Sequence, residues 1–190
     1  DLTRFAGLTL PILCGVPREG DIVLAANPGS GEGYSLTITH CSVQVKAPGG
    51  TPGLFYGVQT LRQIIRQSGA VLPGLCITDK PVFPHRGFYH DATRGRTPTL
   101  SWLRQLVDEA CFYKLNQLQL YVEHTYLFRE LTEAWRDETP LTAEDIMELD
   151  AYCRARHIDL VPSLASFGHM YKILSTKTAC CLCELEDSEK

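Results

Sequence analysis

Polar side chains that could do chemistry follow three separate stretches of strand-like sequence. They are His90, Asp91, Arg94 and Arg96 after the first stretch, Glu123 and His124 after the second, and Ser163, Ser166, Gly168 and His169 after the third. In parallel α/β architectures, ligands meet the carboxyl ends of the strands. Three neighbouring strand ends that all deliver ionisable or hydrogen-bonding groups therefore predict a pocket for a polar ligand.

Each of these residues also has a purely structural interpretation. Asp91 and Arg94 could form a local ion pair, and Glu123 could be a solvated loop carboxylate. His169 could be a core or capping histidine whose hydrogen bonds are satisfied within the fold. The prediction of a pocket depends on the three strand ends together and not on any one residue.

The elements that must position these groups alternate between strand and helix. Residues 86–90, 116–122 and 158–162 have the apolar patterns of strands, with helical stripes between them. Thr142 and Asp145 form a capping-box pattern that opens the second of these helices. The order β-α-β-α-β predicts parallel strands joined by helical crossovers.

This order fits either an open doubly wound sheet or the start of a (β/α)8 TIM barrel. The glycine motif that cradles phosphates in dinucleotide-binding folds is absent after the first strand, which disfavours the open sheet. A (β/α)8 barrel needs at least ~200 residues, and 105 residues run from Arg86 to the end. The sequence therefore predicts the first three βα units of a barrel that is incomplete in this chain.

The first half of the chain has a different pattern. Residues 34–39 and 42–47 alternate between apolar and polar with period two, as expected for a sheet covered on one face. Apolar residues from Leu54 to Ile65 recur at helical spacing and could cover that face. We predict a small α+β domain over residues 1–80 and a partial barrel domain over residues 81–190.

Composition limits the classes of partner. The 190 residues include 18 basic and 22 acidic side chains of interspersed sign, which predicts no nucleic-acid partner. No apolar run approaches the ~20 residues that span a bilayer, so we predict no membrane partner.

The eight cysteines bear on metal binding and on cell compartment. Five of them lie mostly in apolar stretches: Cys14, Cys41, Cys76, Cys111 and Cys153. This position predicts that they are small buried apolar side chains in a protein of a reducing compartment. It favours a cytoplasmic location without settling it. The other three crowd the tail without the second pair that a zinc site needs. We therefore predict no metal and no cofactor.

Several motifs resemble those of a known family. The run Gly-Leu-Phe-Tyr-Gly-Val-Gln-Thr-Leu-Arg-Gln at residues 53–63 resembles the end of the small N-terminal domain of glycoside hydrolase family 20, the β-N-acetylhexosaminidases. Further motifs resemble the linker and the first three barrel strands: Ile77-Thr78-Asp79-Lys80-Pro81, Arg86-Gly87 with Asp91 and Arg94, Lys114-Leu115-Asn116, and Ile158 to Pro162 with Gly168-His169. The resemblance covers residues 32–170.

The resemblance implies a retaining hydrolysis in which the 2-acetamido oxygen of the substrate attacks the anomeric carbon. In the family an Asp orients that amide and the adjacent Glu protonates the leaving oxygen. By matching position, Arg86 would bind hydroxyls of the terminal sugar, His169 would line the same pocket, and Glu123 would replace the usual Asp. We group Asp91 and His124 with them as expected substrate-binding residues.

The sequence also departs from the family pattern. The His-x-Gly-Gly-Asp-Glu motif that carries the catalytic pair does not occur, so no residue of this chain is predicted to be catalytic. Asp108-Glu109 lies within a helical stripe and Asp137-Glu138 within a connector, so neither pair replaces it. Other departures fit a divergent branch: Pro162-Ser163, Phe167 and Glu123-His124 stand where the family has Pro-Glu, Pro and Asp-Asp.

Three hypotheses about function follow. The first is the N-terminal part of a hydrolase that removes terminal N-acetylhexosamine residues from glycans, with the 190-residue piece inactive by itself. The second is a non-catalytic carbohydrate-binding or assembly module, and the third is a small α/β enzyme with His169 or His124 as base. An unfinished sheet would also expose an edge, which predicts self-association.

Overall fold

A computed structural model describes residues 1–136 and 139–184 of the chain, so that Asp137 and Glu138 lie outside the described residues. The chain divides into two compact units. The first comprises Asp1–Pro84 with Phe112–Lys114, and the second comprises His85–Cys111 with the described residues from Leu115 onward.

The first unit is a four-stranded sheet with one long helix. After a short π-helical turn at Leu2–Ala6, its elements are β1 (Ile22–Ala26), β2 (Tyr34–Ile38), β3 (Val43–Ala47), α1 (Thr51–Ser68) and β4 (Leu75–Asp79). The strand order is β1-β3-β2-β4, with β2 antiparallel to both of its neighbours and β1 parallel to β3. The two predicted strands and the predicted helix are confirmed.

The core of this unit follows from the period-two pattern of its strands. Alternate residues of β2 point to one face, and the three on that face are buried: Tyr34, Leu36 and Ile38. The apolar stripe of α1 packs against them through Tyr56, Leu61 and Ile65. One amphipathic helix thus closes one face of the sheet.

Gly57 explains part of the motif at residues 53–63. It lies in the middle of α1, where glycine is normally unfavourable. A Cβ atom there would clash with Cγ1 of Val45 and lie 3.0 Å from Cδ2 of Tyr34. The helix can approach the sheet this closely only because the residue has no side chain.

The second unit is a parallel three-stranded sheet with helices between the strands. Its elements are β5 (Gly87–Asp91), α2 (Leu100–Phe112), β6 (Gln117–Val122), α3 (Ala143–Arg154), β7 (Asp159–Leu164) and α4 (Tyr171–Leu174), followed by a 3-10 turn at Cys180–Leu182. The strand order is β5-β6-β7, and both pairings are parallel. The predicted β-α-β-α-β order is confirmed.

Strand register separates the two faces of this sheet. Leu118 and Leu120 are buried on one face, in register with Leu160 and Pro162 of β7. The opposite face carries mainly polar and aromatic residues, with one valine, in register with one another: Tyr89, Asp91, Gln119, Tyr121, Val161 and Ser163. The site described below lies at the carboxyl end of this second face.

The start of α3 is fixed by the predicted capping box. The Asp145 amide donates to Oγ1 of Thr142 over 3.1 Å, and the Asp145 carboxylate accepts from the Thr142 amide over 2.9 Å. Each residue satisfies a backbone group that the first turn of a helix leaves without a partner.

The prediction that the five scattered cysteines are buried is wrong for three of them. Cys111 and Cys153 are buried, and burial raises the pKa of the Cys153 thiol to about 12. Cys14 and Cys76 are exposed and Cys41 is half-buried, because Cys14 lies outside regular structure and Cys76 lies on an exposed face of β4. The argument from cysteine burial to a reducing compartment therefore loses most of its basis.

Within residues 1–136 and 139–184, no helix combines the length and apolar character needed to cross a membrane.

We predict that Gly57→Ala destabilises the chain by about 1–3 kcal/mol, because the new methyl group overpacks the core. Helix propensity alone predicts the opposite sign, with a gain of about 1 kcal/mol. Urea unfolding followed by far-UV circular dichroism measures the difference. Gln67→Ala, at an exposed position of the same helix, is the matched control and should change stability by no more than about 0.5 kcal/mol. A Gly57→Ala chain at least as stable as the wild type would contradict the prediction.

Candidate functional site

The carboxyl ends of the three parallel strands meet at one edge of the second sheet. Asp91 of β5 is in register with Tyr121 of β6, which is in register with Ser163 of β7. A cavity of about 360 Å³ lies at this edge and is lined by Tyr89, Asp91, Arg94, Tyr121, Ser163, Leu164, Ala165 and His169. Parallel pairing therefore assembles the cavity from residues more than seventy positions apart.

Asp91 is oriented by the turn that follows β5. Its Oδ1 accepts hydrogen bonds from the Thr93 amide over 2.8 Å and the Thr93 hydroxyl over 2.6 Å. Burial opposes ionisation, but the two bonds from Thr93 and the Arg94 charge outweigh it and hold the pKa of Asp91 below its usual value. The ion pair with Arg94 exists, with Nε 3.9 Å from Oδ2, but the Thr93 contacts are shorter.

Glu123 is a buried carboxylate with two donors on one oxygen. Its Oε1 accepts from the Tyr121 hydroxyl over 2.6 Å and from Nη1 of Arg94 over 3.0 Å. The residue is only 6 % exposed, so the interpretation as a solvated loop carboxylate is wrong. Burial, followed by the hydrogen bond to Glu123, raises the pKa of Tyr121 to about 12, which keeps this hydroxyl a donor at neutral pH.

His169 lies at the rim of the cavity with an unusual backbone. Its φ of 59° is in the left-handed region, which few residues other than glycine adopt. Its Nδ1 is 3.0 Å from Nη2 of Arg94, and the residue is exposed, which excludes a core histidine. The loop after β7 is thereby connected to the loop after β5 through one side chain.

Three of the expected site residues do not line the cavity: Glu123, His124 and Arg86. His124 is buried beside Glu123, with Nδ1 3.7 Å from Oε2 of that carboxylate. Arg86 precedes the first residue of β5, where its amide donates to Oδ1 of Asn116 over 2.8 Å. Arg86 is thus at the amino edge of the sheet, about 16 Å of strand away from Asp91. Its part in sugar binding stays a prediction.

Sequence reasoning missed the two tyrosines of the cavity. Tyr89 and Tyr121 lie inside strands, where aromatic residues are expected for packing alone. The signal that could have found them is the strand period, because Tyr121 alternates with the buried Leu118 and Leu120 and must face the other side.

The remaining acidic candidate has a structural role. The Asp108 carboxylate accepts hydrogen bonds from the Tyr152 hydroxyl over 2.9 Å and from Nε of Arg156 over 2.7 Å, which links α2 to α3. Among the described residues, no three His, Cys, Asp or Glu side chains form a group that could hold a metal ion. The cavity itself offers the Asp91 carboxylate together with guanidinium, imidazole and hydroxyl groups, a set suited to a neutral ligand with several hydroxyls.

We predict that Thr93→Val raises the pKa of Asp91 toward the ordinary 3.8, because the variant loses the hydroxyl donor but keeps the amide and the shape. A lowered pKa in the fold means that the Asp91 carboxylate stabilises the chain above the ordinary value, and that this contribution is lost as the pH falls through the lowered one. In the variant this contribution is smaller, and its loss is complete at a higher pH. Carbon-13 shifts of the carboxyl group measure the titration.

Thr93→Ser keeps the hydroxyl and is the matched control, so its Asp91 titration should follow that of the wild type. The same titration curve in Thr93→Val and Thr93→Ser would contradict the orienting role of the hydroxyl.

Comparison with known proteins gives two family matches along the chain. Residues 2–80 match the model of glycosyl hydrolase family 20, domain 2, and residues 83–190 match the model of the glycosyl hydrolase family 20 catalytic domain. A beta-hexosaminidase of Akkermansia muciniphila is 33 % identical over 159 residues, which cover 73 % of this chain and 32 % of that protein.

Solved structures give the same result. The family 20 beta-N-acetylhexosaminidase of Streptomyces coelicolor superposes with a TM-score of 0.77 at 26 % identity, covering 92 % of this chain and 40 % of the other. A mutant Streptomyces plicatus beta-hexosaminidase in complex with product (GlcNAc) superposes with a TM-score of 0.78 at 26 % identity, covering 91 % and 39 %. The chain spans about a third of the length of the curated relatives it matches. It belongs to glycosyl hydrolase family 20.

Proposed function

We propose that this chain is part of a β-N-acetylhexosaminidase, which removes terminal N-acetylhexosamine residues from glycans by a substrate-assisted, retaining mechanism. The observation that carries the proposal is the buried Glu123 carboxylate, held by Tyr121 and Arg94 at the carboxyl ends of the parallel strands. Relatives named beta-hexosaminidase and a neighbouring structure in complex with GlcNAc support the substrate class.

The part of the reaction assigned to this chain is substrate binding. A neutral sugar is recognised by donors and acceptors that match its hydroxyls. We assign that task to Asp91, Glu123 and His169, with Arg86 and His124 as further binding residues by family position. The nucleophile in this mechanism is the acetamido oxygen of the substrate, so no carboxylate of the chain needs to attack the sugar.

The fold proposal is that the second unit forms the first three βα units of a (β/α)8 barrel, after an α+β domain that ends near residue 80. The parallel order β5-β6-β7 supports it, because such a barrel is built from parallel strands that alternate with helices along the chain. The two family matches, which meet between residues 80 and 83, support the boundary.

The second candidate is a carbohydrate-binding or assembly module without catalysis. The observation in its favour is that the His-x-Gly-Gly-Asp-Glu motif does not occur in the 190 residues. The two candidates predict different results when the natural protein is isolated from its source and assayed on a glycan that ends in N-acetylglucosamine. Turnover supports the hydrolase, whereas binding without turnover supports the module.

We predict that the 190-residue chain does not hydrolyse a chromogenic N-acetylglucosaminide above background, because it lacks the acid that protonates the leaving oxygen. Positioned proton transfer typically contributes about 10²–10⁴-fold to a rate. Absorbance of the released chromophore measures turnover. Turnover that persists equally in Arg86→Ala would indicate a contaminant, and turnover that Arg86→Ala abolishes would contradict the prediction.

We predict that the chain binds N-acetylglucosamine and that Glu123→Gln weakens binding about tenfold or more. A hydrogen bond to a charged group contributes about 1.5–3 kcal/mol, and the variant removes that charge with little change of shape. Amide shifts during a sugar titration measure the dissociation constant. Glu148→Gln on α3, which breaks an exposed ion pair with Arg104 of α2, should bind like the wild type, and equal weakening in both variants would count against the site.

We also propose that the chain self-associates through the β7 side of the second sheet. An apolar cavity of about 630 Å³ lies there, lined in part by Val122, Ile146 and Leu160. Its rim is open to solvent, with Met147 64 % and Leu164 49 % exposed. Exposed apolar surface beside an edge strand is a typical contact between chains.

Met147→Lys should therefore shift the chain toward monomer, because a charge at this rim opposes burial in an interface. Sedimentation velocity over a range of concentrations measures the effect. Val71→Lys, which replaces a residue that is 82 % exposed in the first unit, is the matched control. A wild-type chain that stays monomeric at every concentration would refute self-association.

A further inference from the structure

Arg94 contacts groups from three different parts of the second unit. Its Nη1 donates to Glu123 after β6, and its Nη2 is 3.0 Å from Nδ1 of His169 after β7. Nη1 also contacts Oγ1 of Thr93, whose hydroxyl proton is donated to Asp91. A planar guanidinium with a fixed fork of donors is the side chain that can make these contacts together.

The direction of every bond in this network follows from the chemistry of arginine. A guanidinium has five N–H donors and no acceptor. The hydrogen bond to Glu123, which is the main contribution, raises the pKa of Arg94 above its ordinary value, so the group stays charged. In the contact between Arg94 and His169, the nitrogen of the imidazole must therefore be the acceptor. Nδ1 carries the lone pair, and the proton of the neutral ring is on Nε2.

The position of His169 leaves Nε2 available to a ligand. The residue lines the cavity and is exposed, and among the described residues Nε2 has no hydrogen-bond partner. Its backbone is in the left-handed region, and non-glycine residues held in such conformations cluster at functional sites. Two independent features thus constrain this ring: the backbone that presents it and the arginine that occupies one of its nitrogens.

We propose that Arg94 is a positioning residue that holds His169 in the Nε2-protonated tautomer, so that His169 donates a hydrogen bond to an oxygen of the ligand in this cavity. The identification of that oxygen as a sugar hydroxyl or carbonyl rests on the proposed function, whereas the tautomer does not. A ring whose Nδ1 is occupied and whose Nε2 carries the proton has no free lone pair. His169 is therefore a donor and not the base of a small α/β enzyme.

The buried carboxylate fixes the arginine in turn. Tyr121 donates to the same Glu123 oxygen that accepts from Arg94, so this oxygen is held from two sides. The chain of donation runs from Tyr121 to Glu123 and from Arg94 to both Glu123 and His169. Removal of the arginine should free the histidine ring, while Tyr121 still donates to Glu123.

Nitrogen-15 spectroscopy of histidine- and arginine-labelled chain tests the tautomer, at a pH where the neutral imidazole prevails. The wild type should show His169 protonated at Nε2 and a scalar coupling across the hydrogen bond from Nη2 of Arg94 to Nδ1. In Arg94→Gln the coupling should vanish. The Nδ1 resonance of His169 should move to the chemical shift of an imidazole nitrogen that accepts no hydrogen bond. His169→Gln assigns the signals, and circular dichroism verifies that each variant is folded.

Arg96→Gln is the matched control from the same loop. Arg96 lies over the Trp102 ring, which packs against His90, so this variant should shift the His90 signals and leave those of His169 in place. Arg94→Lys keeps the charge but not the fork, and its His169 signals should resemble those of Arg94→Gln. A proton on Nδ1 in the wild type, or His169 signals that are the same in Arg94→Gln, would overturn the proposal.

A titration with N-acetylglucosamine separates this inference from the proposed function. Arg94→Gln should weaken binding about tenfold, as expected when one charge-assisted network is lost, and Arg96→Gln should not. If the wild type does not bind the sugar, the sugar-binding role proposed for this chain fails while the tautomer result stands. If the sugar binds with equal affinity to the wild type and Arg94→Gln, the donor role of His169 toward the ligand is wrong.

Discussion

The candidate site depends on one charged contact, the pairing of the Glu123 carboxylate with the Arg94 guanidinium. A buried carboxylate is costly unless it is paired and hydrogen-bonded. Glu123 meets both conditions, because Arg94 supplies the opposite charge and Tyr121 a second donor. The same arginine contacts His169. The arginine that pairs with the buried Glu123 carboxylate therefore also orders the loop after β7.

Parallel strand pairing is what makes this contact possible. The loops after β5, β6 and β7 leave the sheet at the same edge, and each delivers one part of the network. An antiparallel neighbour would send its loop to the opposite edge. The apolar face of the sheet, with Leu118 and Leu120 buried, leaves the other face and its carboxyl end to polar groups.

The family membership gives this geometry a chemical meaning. The chain matches both the domain 2 model and the catalytic-domain model of glycosyl hydrolase family 20, yet it has no His-x-Gly-Gly-Asp-Glu motif. Under the function proposed above, the groups around Glu123 bind the sugar and do not supply the proton, because binding and proton transfer use different atoms of the substrate. The arrangement around Glu123 is consistent with a binding task.

The sequence by itself determined the elements and the family. The alternation of apolar and polar residues predicted β2 and β3, the helical spacing of apolar residues predicted α1, and the capping box predicted the start of α3. These elements could be predicted because each signal is local in the chain. It also selected Asp91, Glu123 and His169 by their place after strands. Only the tertiary structure decided that Glu123 is buried and that Arg94 links it to His169. Those facts depend on strand register and on contacts between residues as many as 75 positions apart, and no local pattern encodes them.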